Sequence, residues 1–168
     1  MCVEYTKRKK KADESQILLY NKSSAETFSH VSLYRKKIFS CEERTWNNPS
    51  IIVDNMKQLY ELDALADEYV YMIAFDNSCK VLGIMEISHG GVKETICTPR
   101  EVFQAALLMN ATAIALIHNH PSGNCKPSEN DQKLEKRLKE AGQIIGIELL
   151  DFIIAGENTY YSSHENKN

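Results

Sequence analysis

A continuous run of strand formers, Tyr69-Val70-Tyr71-Met72-Ile73-Ala74-Phe75, breaks off at Asp76-Asn77-Ser78. A run with no polar alternation predicts a strand buried on both faces, followed by a turn. Residues 113–117 form a second run of this kind, and residues 148–155 read as a further strand with an apolar end. Such strands need helices to cover them, and the intervening segments supply the patterns. After Asn47-Asn48-Pro49-Ser50, the spacing of Ile52, Met56 and Leu59, continued by Leu62, Leu65 and Ala66, is helical. Thr98-Pro99-Arg100-Glu101 is a helix start, with a Thr cap, Pro at the first position and Glu three after the cap; this helix is expected to reach about Asn110. Ser128 opens another helix, with the stripe Leu134, Leu138, Ala141 and Ile145. Residues 81–87 pair with the first run as a hairpin that closes at Gly90-Gly91, and Tyr160-Tyr161 adds a last strand. The expectation is an α/β domain, a mixed β-sheet flanked by helices.

At 168 residues the chain fits one domain and is too short for a TIM barrel, which takes roughly 250. No apolar run approaches the ~18–20 residues of a membrane span, and no apolar region follows the N-terminal charges as a secretory signal requires. No membrane partner is therefore expected. Five cysteines with no C-x-x-C pair argue against a disulfide framework or a four-cysteine zinc site, and make a reducing cytoplasm the simplest location.

The net charge of −3 conceals a split. Residues 1–48 hold ten Lys/Arg against six Asp/Glu, and the remainder ten against seventeen. The positive excess centres on Lys7-Arg8-Lys9-Lys10-Lys11, which could touch nucleic acid, although a solvated flexible tail is the simpler reading. Residues 1–29 are read as a basic extension, 30–163 as the domain, and 164–168 as a tail. His30-Val31-Ser32-Leu33-Tyr34-Arg35 alternates as an edge strand would.

The chemistry concentrates between His118 and Asp131. His118 and His120 stand two apart at the end of a buried strand, so their rings share a sheet face. Pro121, Ser122, Gly123 and Pro127 make the following seven residues a turn, and Asp131 falls in the first turn of the next helix. Each fragment has an ordinary structural explanation: a strand histidine packs or hydrogen-bonds, and Ser128-x-x-Asp131 caps a helix. Together they form a three-ligand metal site, His118, His120 and Asp131, whose fourth position is left for water or substrate, as catalytic zinc requires. Other zinc motifs are absent. Deaminases need H-x-E with P-C-x-x-C, the metallo-β-lactamase pattern needs Asp and His where Ser122 and Gly123 stand, and there is no H-E-x-x-H. Cys125, inside the ligand loop, is treated as a bystander.

The string H-x-H-x7-S-x-x-D resembles the motif of the JAMM (MPN-plus) metalloproteases. His118-Asn119-His120-Pro121-Ser122-Gly123 with Pro127, Ser128 and Asp131 is similar to the RadC branch in particular. So are Pro99-Arg100-Glu101-Val102-Phe103, Glu140-Ala141-Gly142, Gly146-Ile147-Glu148, Leu150-Asp151 and Tyr160-Tyr161-Ser162; the likeness spans about residues 50–163. The resemblance implies an α-β-α layered domain of cytidine-deaminase-like type. It also implies Zn²⁺ as cofactor and hydrolysis of a peptide or isopeptide amide in a peptide or protein substrate. Glu68 would serve as general base and Ser128 as oxyanion donor; spacing alone does not select Glu68 over Asp67. Residues 1–48 show none of the Gly-centred helical hairpin that RadC-like proteins carry ahead of this domain. Phe152 stands where the family has His after Asp, and Asn119 where eukaryotic JAMM deubiquitinases have Ser or Thr. Two other readings remain open. One is a non-catalytic peptide- or nucleic-acid-associated binding module, in a family linked by name to DNA repair. The other is a structural zinc site.

Overall fold

The structure, a computed structural model, describes residues 46, 48–90 and 97–166. The basic run at 7–11, the strand expected at 30–35 and Gly91 lie outside the described residues. The described elements are α1 (Pro49–Tyr60), β1 (Glu68–Phe75), β2 (Val81–Gly90), α2 (Pro99–Leu108), β3 (Ala113–Asn119), α3 (Glu129–Ile145), β4 (Glu148–Ala155) and β5 (Tyr160–Ser162). The strands form one five-stranded sheet in the order β2-β1-β3-β4-β5. The β3–β4 pair alone is parallel, because α3 carries the chain back across the sheet between them; the other neighbours are antiparallel. This is the mixed, helix-flanked α/β architecture expected from the sequence.

Strand alternation sorts the core into two halves. Val70, Met72 and Ala74 of β1, with Ile114 and Leu116 of β3, face Val102, Phe103 and Ala106 of α2 and Leu138 of α3. Tyr71, Ile73 and Phe75, with Ala113, Ala115 and Ile117, face Ile52, Val53 and Met56 of α1. Burying each large side chain contributes roughly 1.5–3 kcal/mol, so the sheet is secured from both sides.

The structure differs from the sequence reading at three element ends. Helix α1 stops at Tyr60, because Glu61 adopts a left-handed conformation (φ 50°) and turns the chain. Leu62 is nonetheless fully buried, reaching the α1-side core from the turn rather than from a helix. Helix α2 ends at Leu108, short of Asn110, which is itself left-handed (φ 55°). In α3 the close packing ends at Gly142, where an added Cβ would lie 2.4 Å from the Ile147 carbonyl oxygen. Ile145, one turn nearer the end and expected in the apolar stripe, is 41% exposed.

At the far edge, the buried Asp151 carboxylate accepts hydrogen bonds from the Phe152 and His164 amides and from the Ser162 and Ser163 hydroxyls. Four donors compensate its desolvation and pin β5 and the following turn to β4.

Candidate metal centre

Strand β3 runs two residues beyond its apolar stretch, bringing His118 and Asn119 into the sheet. The His120 amide donates to the Ala155 carbonyl (3.1 Å), which carries β3–β4 contact one residue further. The chain then turns at once: Gly123 (φ 76°) donates its N–H to the His120 carbonyl, and its own carbonyl accepts from Glu157. A Cβ at Gly156 would sit 2.5 Å from that Gly123 carbonyl, so the two loops approach as closely as glycine allows. Helix α3 begins where this loop ends.

Its start is a reciprocal capping box. The Ser128 hydroxyl accepts from the Asp131 amide (3.1 Å), and the Asp131 carboxylate accepts from the Ser128 amide (2.7 Å). The cap fixes the Asp131 rotamer and aims its carboxylate at the end of β3. Oδ1 lies 3.2 Å from His118 Nε2, Oδ2 lies 3.6 Å from His120 Nε2, and the two Nε2 atoms are 3.1 Å apart. The three ligand atoms could hold a metal ion: all lie within 4.8 Å of one another. In a tetrahedral shell with zinc–ligand bonds of 2.0–2.1 Å, neighbouring ligand atoms are about 3.3 Å apart; the two Nε2 atoms stand near that spacing, and each faces a different oxygen of the Asp131 carboxylate.

The surroundings also suit a metal. His120 Nδ1 is 2.7 Å from the Asn124 carbonyl, which can only accept. Nδ1 therefore carries the proton, and in the neutral ring Nε2 presents its lone pair to the site. His118 is 2% exposed and meets the Phe152 ring edge-on, with centroids 5.4 Å apart. Phe152 thus backs the buried imidazole with an apolar wall.

Without a metal the three groups hold one another by charge and hydrogen bonding. Burial alone would raise the Asp131 carboxyl, but hydrogen bonds from His118, His120 and Ser128 hold it far below the usual carboxylate range. The hydrogen bond to Asp131 raises His120; burial opposes this, and the Asn124 carbonyl and the charge of Glu68 add to it.

Glu68 opens β1. The β1–β3 register, ending at Val70↔His118, places Glu68 opposite His120 if continued by two residues, on the same sheet face as both histidines. Asp67 precedes the strand and is exposed. Cys97 also feels the charge of Glu68; burial above all pushes its thiol up to about 12, so it stays neutral. Cys125 packs against the α2–α3 side of the core.

Sequence reasoning passed over two groups at this site. One is the Asn124 carbonyl, a backbone atom that no residue type announces. The other is the Asn119 side chain, buried at 3% exposure. Its Oδ1 accepts from the Tyr69 amide (2.8 Å) and its Nδ2 donates to the Asp67 carbonyl (3.0 Å). Its position between two histidines was the available signal, but its partners lie some fifty residues upstream.

The chain is 45% identical over 105 residues to a UPF0758 protein of Alkaliphilus metalliredigens, a match covering 62% of this chain and 45% of the relative. It is 41% identical over 103 residues to a UPF0758 protein of Pelobacter propionicus, covering 61% and 45%. For one of Clostridium perfringens the identity is 42% over 107 residues, covering 64% and 47%. The chain thus matches slightly under half the length of these curated relatives. The RadC-like JAB domain family matches residues 46–168, which takes in every described element and all three candidate ligands, and the chain belongs to that family.

Proposed function

We propose that the domain is a zinc-dependent hydrolase of peptide or isopeptide amide bonds. The observation that carries this reading is the convergence of His118 Nε2, His120 Nε2 and Asp131, which among the described residues supply three ligands to a four-coordinate shell. Held by His118, His120 and Asp131, a zinc ion would supply Lewis acidity and would lower the pKa of water at the site from 15.7 to about 7. The chain's own residues do the rest. His118 and Asp131 are held rigidly by burial and the capping box, and His120 by the Asn124 carbonyl. Glu68 takes the proton of the attacking water and later delivers it to the leaving amine. Ser128 donates to the developing oxyanion. Its hydroxyl accepts from the Asp131 amide in the helix cap and hydrogen-bonds the Asp131 carboxylate, so donating to the oxyanion means releasing that carboxylate bond.

The test is incubation of zinc-loaded protein with a diverse peptide mixture and with peptides acylated on a lysine side chain, read by mass spectrometry. Cleavage is expected to stop on chelation, to return with added zinc, and to be lost in Glu68→Gln with zinc content unchanged. Cleavage that survives chelation, or no cleavage by folded, zinc-loaded protein, contradicts the reading.

A further inference from the structure

Residue pairing between β1 and β3 runs from Phe75↔Ala113 to Val70↔His118 and stops there. Beyond that point the Asn119 side chain takes over. Its carboxamide accepts from Tyr69 N–H and donates to the Asp67 carbonyl, and only this orientation of the amide pairs donor with acceptor on both sides. Those two backbone groups belong to the peptide planes immediately before and after Glu68. Fixing both planes fixes φ and ψ of Glu68, and with them the direction of its Cα–Cβ bond. Asn119 itself points away from the histidines, because successive strand residues alternate faces. It is 3% exposed, and both its hydrogen bonds are nearly ideal in length.

We propose that Asn119 is a positioning residue that aims Glu68 at the candidate metal site from the opposite side of the sheet. The proposal rests on the role given to Glu68 above. It also gives the residue between the two histidines a task separate from theirs: they gather the metal, and Asn119 orients the carboxylate on the neighbouring strand. A serine there, with one hydroxyl proton, could donate to the Asp67 carbonyl and accept from Tyr69 N–H only if the shorter side chain reached both.

The test compares wild type, Asn119→Leu, Glu68→Gln and the double variant, each loaded with zinc or cobalt. The first readout is metal content, expected to be unchanged in all four. The second is the pH midpoint of the visible spectrum of the cobalt form, which a nearby carboxylate charge holds up. Glu68→Gln is expected to lower that midpoint. Asn119→Leu should lower it by less, and the double variant should match Glu68→Gln alone. In amide hydrolysis by the zinc form, Asn119→Leu is expected to lower kcat about tenfold to a hundredfold at constant KM. Should the leucine variant not fold, Asn119→Ser enters the same comparison, with an intermediate shift expected. A midpoint unmoved by the Asn119 change while Glu68→Gln moves it overturns the proposal and leaves the hydrolase reading intact. Loss of metal from the Asn119 variant also overturns it, by showing that the residue supports the ligands. A midpoint unmoved by Glu68→Gln removes both this proposal and the role of Glu68.

Discussion

Helices α2 and α3 begin with the same pattern, a hydroxyl residue followed three positions later by an acid, and put it to different uses. In α3 the pattern closes as a reciprocal box: Ser128 and Asp131 each bond the other's backbone amide. In α2 the Thr98 side chain makes no bond to the backbone of its helix; its hydroxyl donates to the Glu101 carboxylate, which stays in solvent. Asp131 is buried and faces two imidazoles. Both acids titrate low for different reasons. Glu101 is lowered chiefly by the Thr98 hydroxyl, whereas Asp131 is lowered by the histidines against the opposing effect of burial. The motif therefore carries no metal chemistry of its own. The candidate metal site arises because the end of β3 is directed at one helix start and not at the other.

The largest expected difference between the two helix starts is in metal binding. Asp131→Asn is expected to weaken zinc affinity by more than ~100-fold, beyond what outer-shell changes cost, while Glu101→Gln leaves it unchanged. Competition with a chromogenic chelator measures both. Equal effects would mean that the site is not where the side chains converge.

Ser128→Ala is next in size. Loss of the cap is expected to cost about 1 kcal/mol in thermal or urea unfolding. If the hydroxyl also serves the oxyanion, kcat should fall ~100-fold or more. Thr98→Val, which removes no side-chain bond to the backbone, should stay within about 0.5 kcal/mol. A Ser128 variant that loses stability but no activity would reduce Ser128 to a cap.

The smallest effect is on the pH profile of the metal-free protein. Asp131 titrates lower folded than unfolded, so its contribution is present above the unfolded value of about 3.9 and is lost as pH falls through the folded value. His120 titrates higher folded, so its contribution is complete below its unfolded value of about 6.5 and is lost as pH rises through the folded value. The metal-free Tm is therefore expected to be greatest between about pH 4 and 6.5. Asp131→Asn should flatten both limbs, and Glu101→Gln should leave the maximum in place. Zinc takes neutral imidazole, so the Tm gained by adding zinc should grow as pH rises across that window. A gain independent of pH would argue that the histidines are not ligands.

The sequence disclosed most where a signal is local. The apolar run of β1, the Pro-led start of α2 and the capping box of α3 each depend on neighbours in the chain, and their elements begin within a residue of where the patterns place them. Ends were less legible. Glu61 and Asn110 terminate helices by left-handed backbone conformations, although neither is glycine. At the candidate site, the face shared by His118 and His120 follows from strand alternation, and Asp131 from the helix start. The clamp on Glu68 is not readable this way, because Asn119 binds backbone atoms of residues 67 and 69, and backbone groups carry no residue-type signature. The same holds for the Asn124 carbonyl that orients His120.

Zinc K-edge X-ray absorption on stoichiometrically loaded protein tests the central claim most directly. A shell of nitrogen and oxygen alone at ~2.0–2.1 Å, with two imidazoles and a position taken by solvent, is the result expected for His118, His120 and Asp131. Sulfur at ~2.3 Å, which would bring in Cys125 or Cys97, or a protein that retains no zinc under any loading condition, would contradict it.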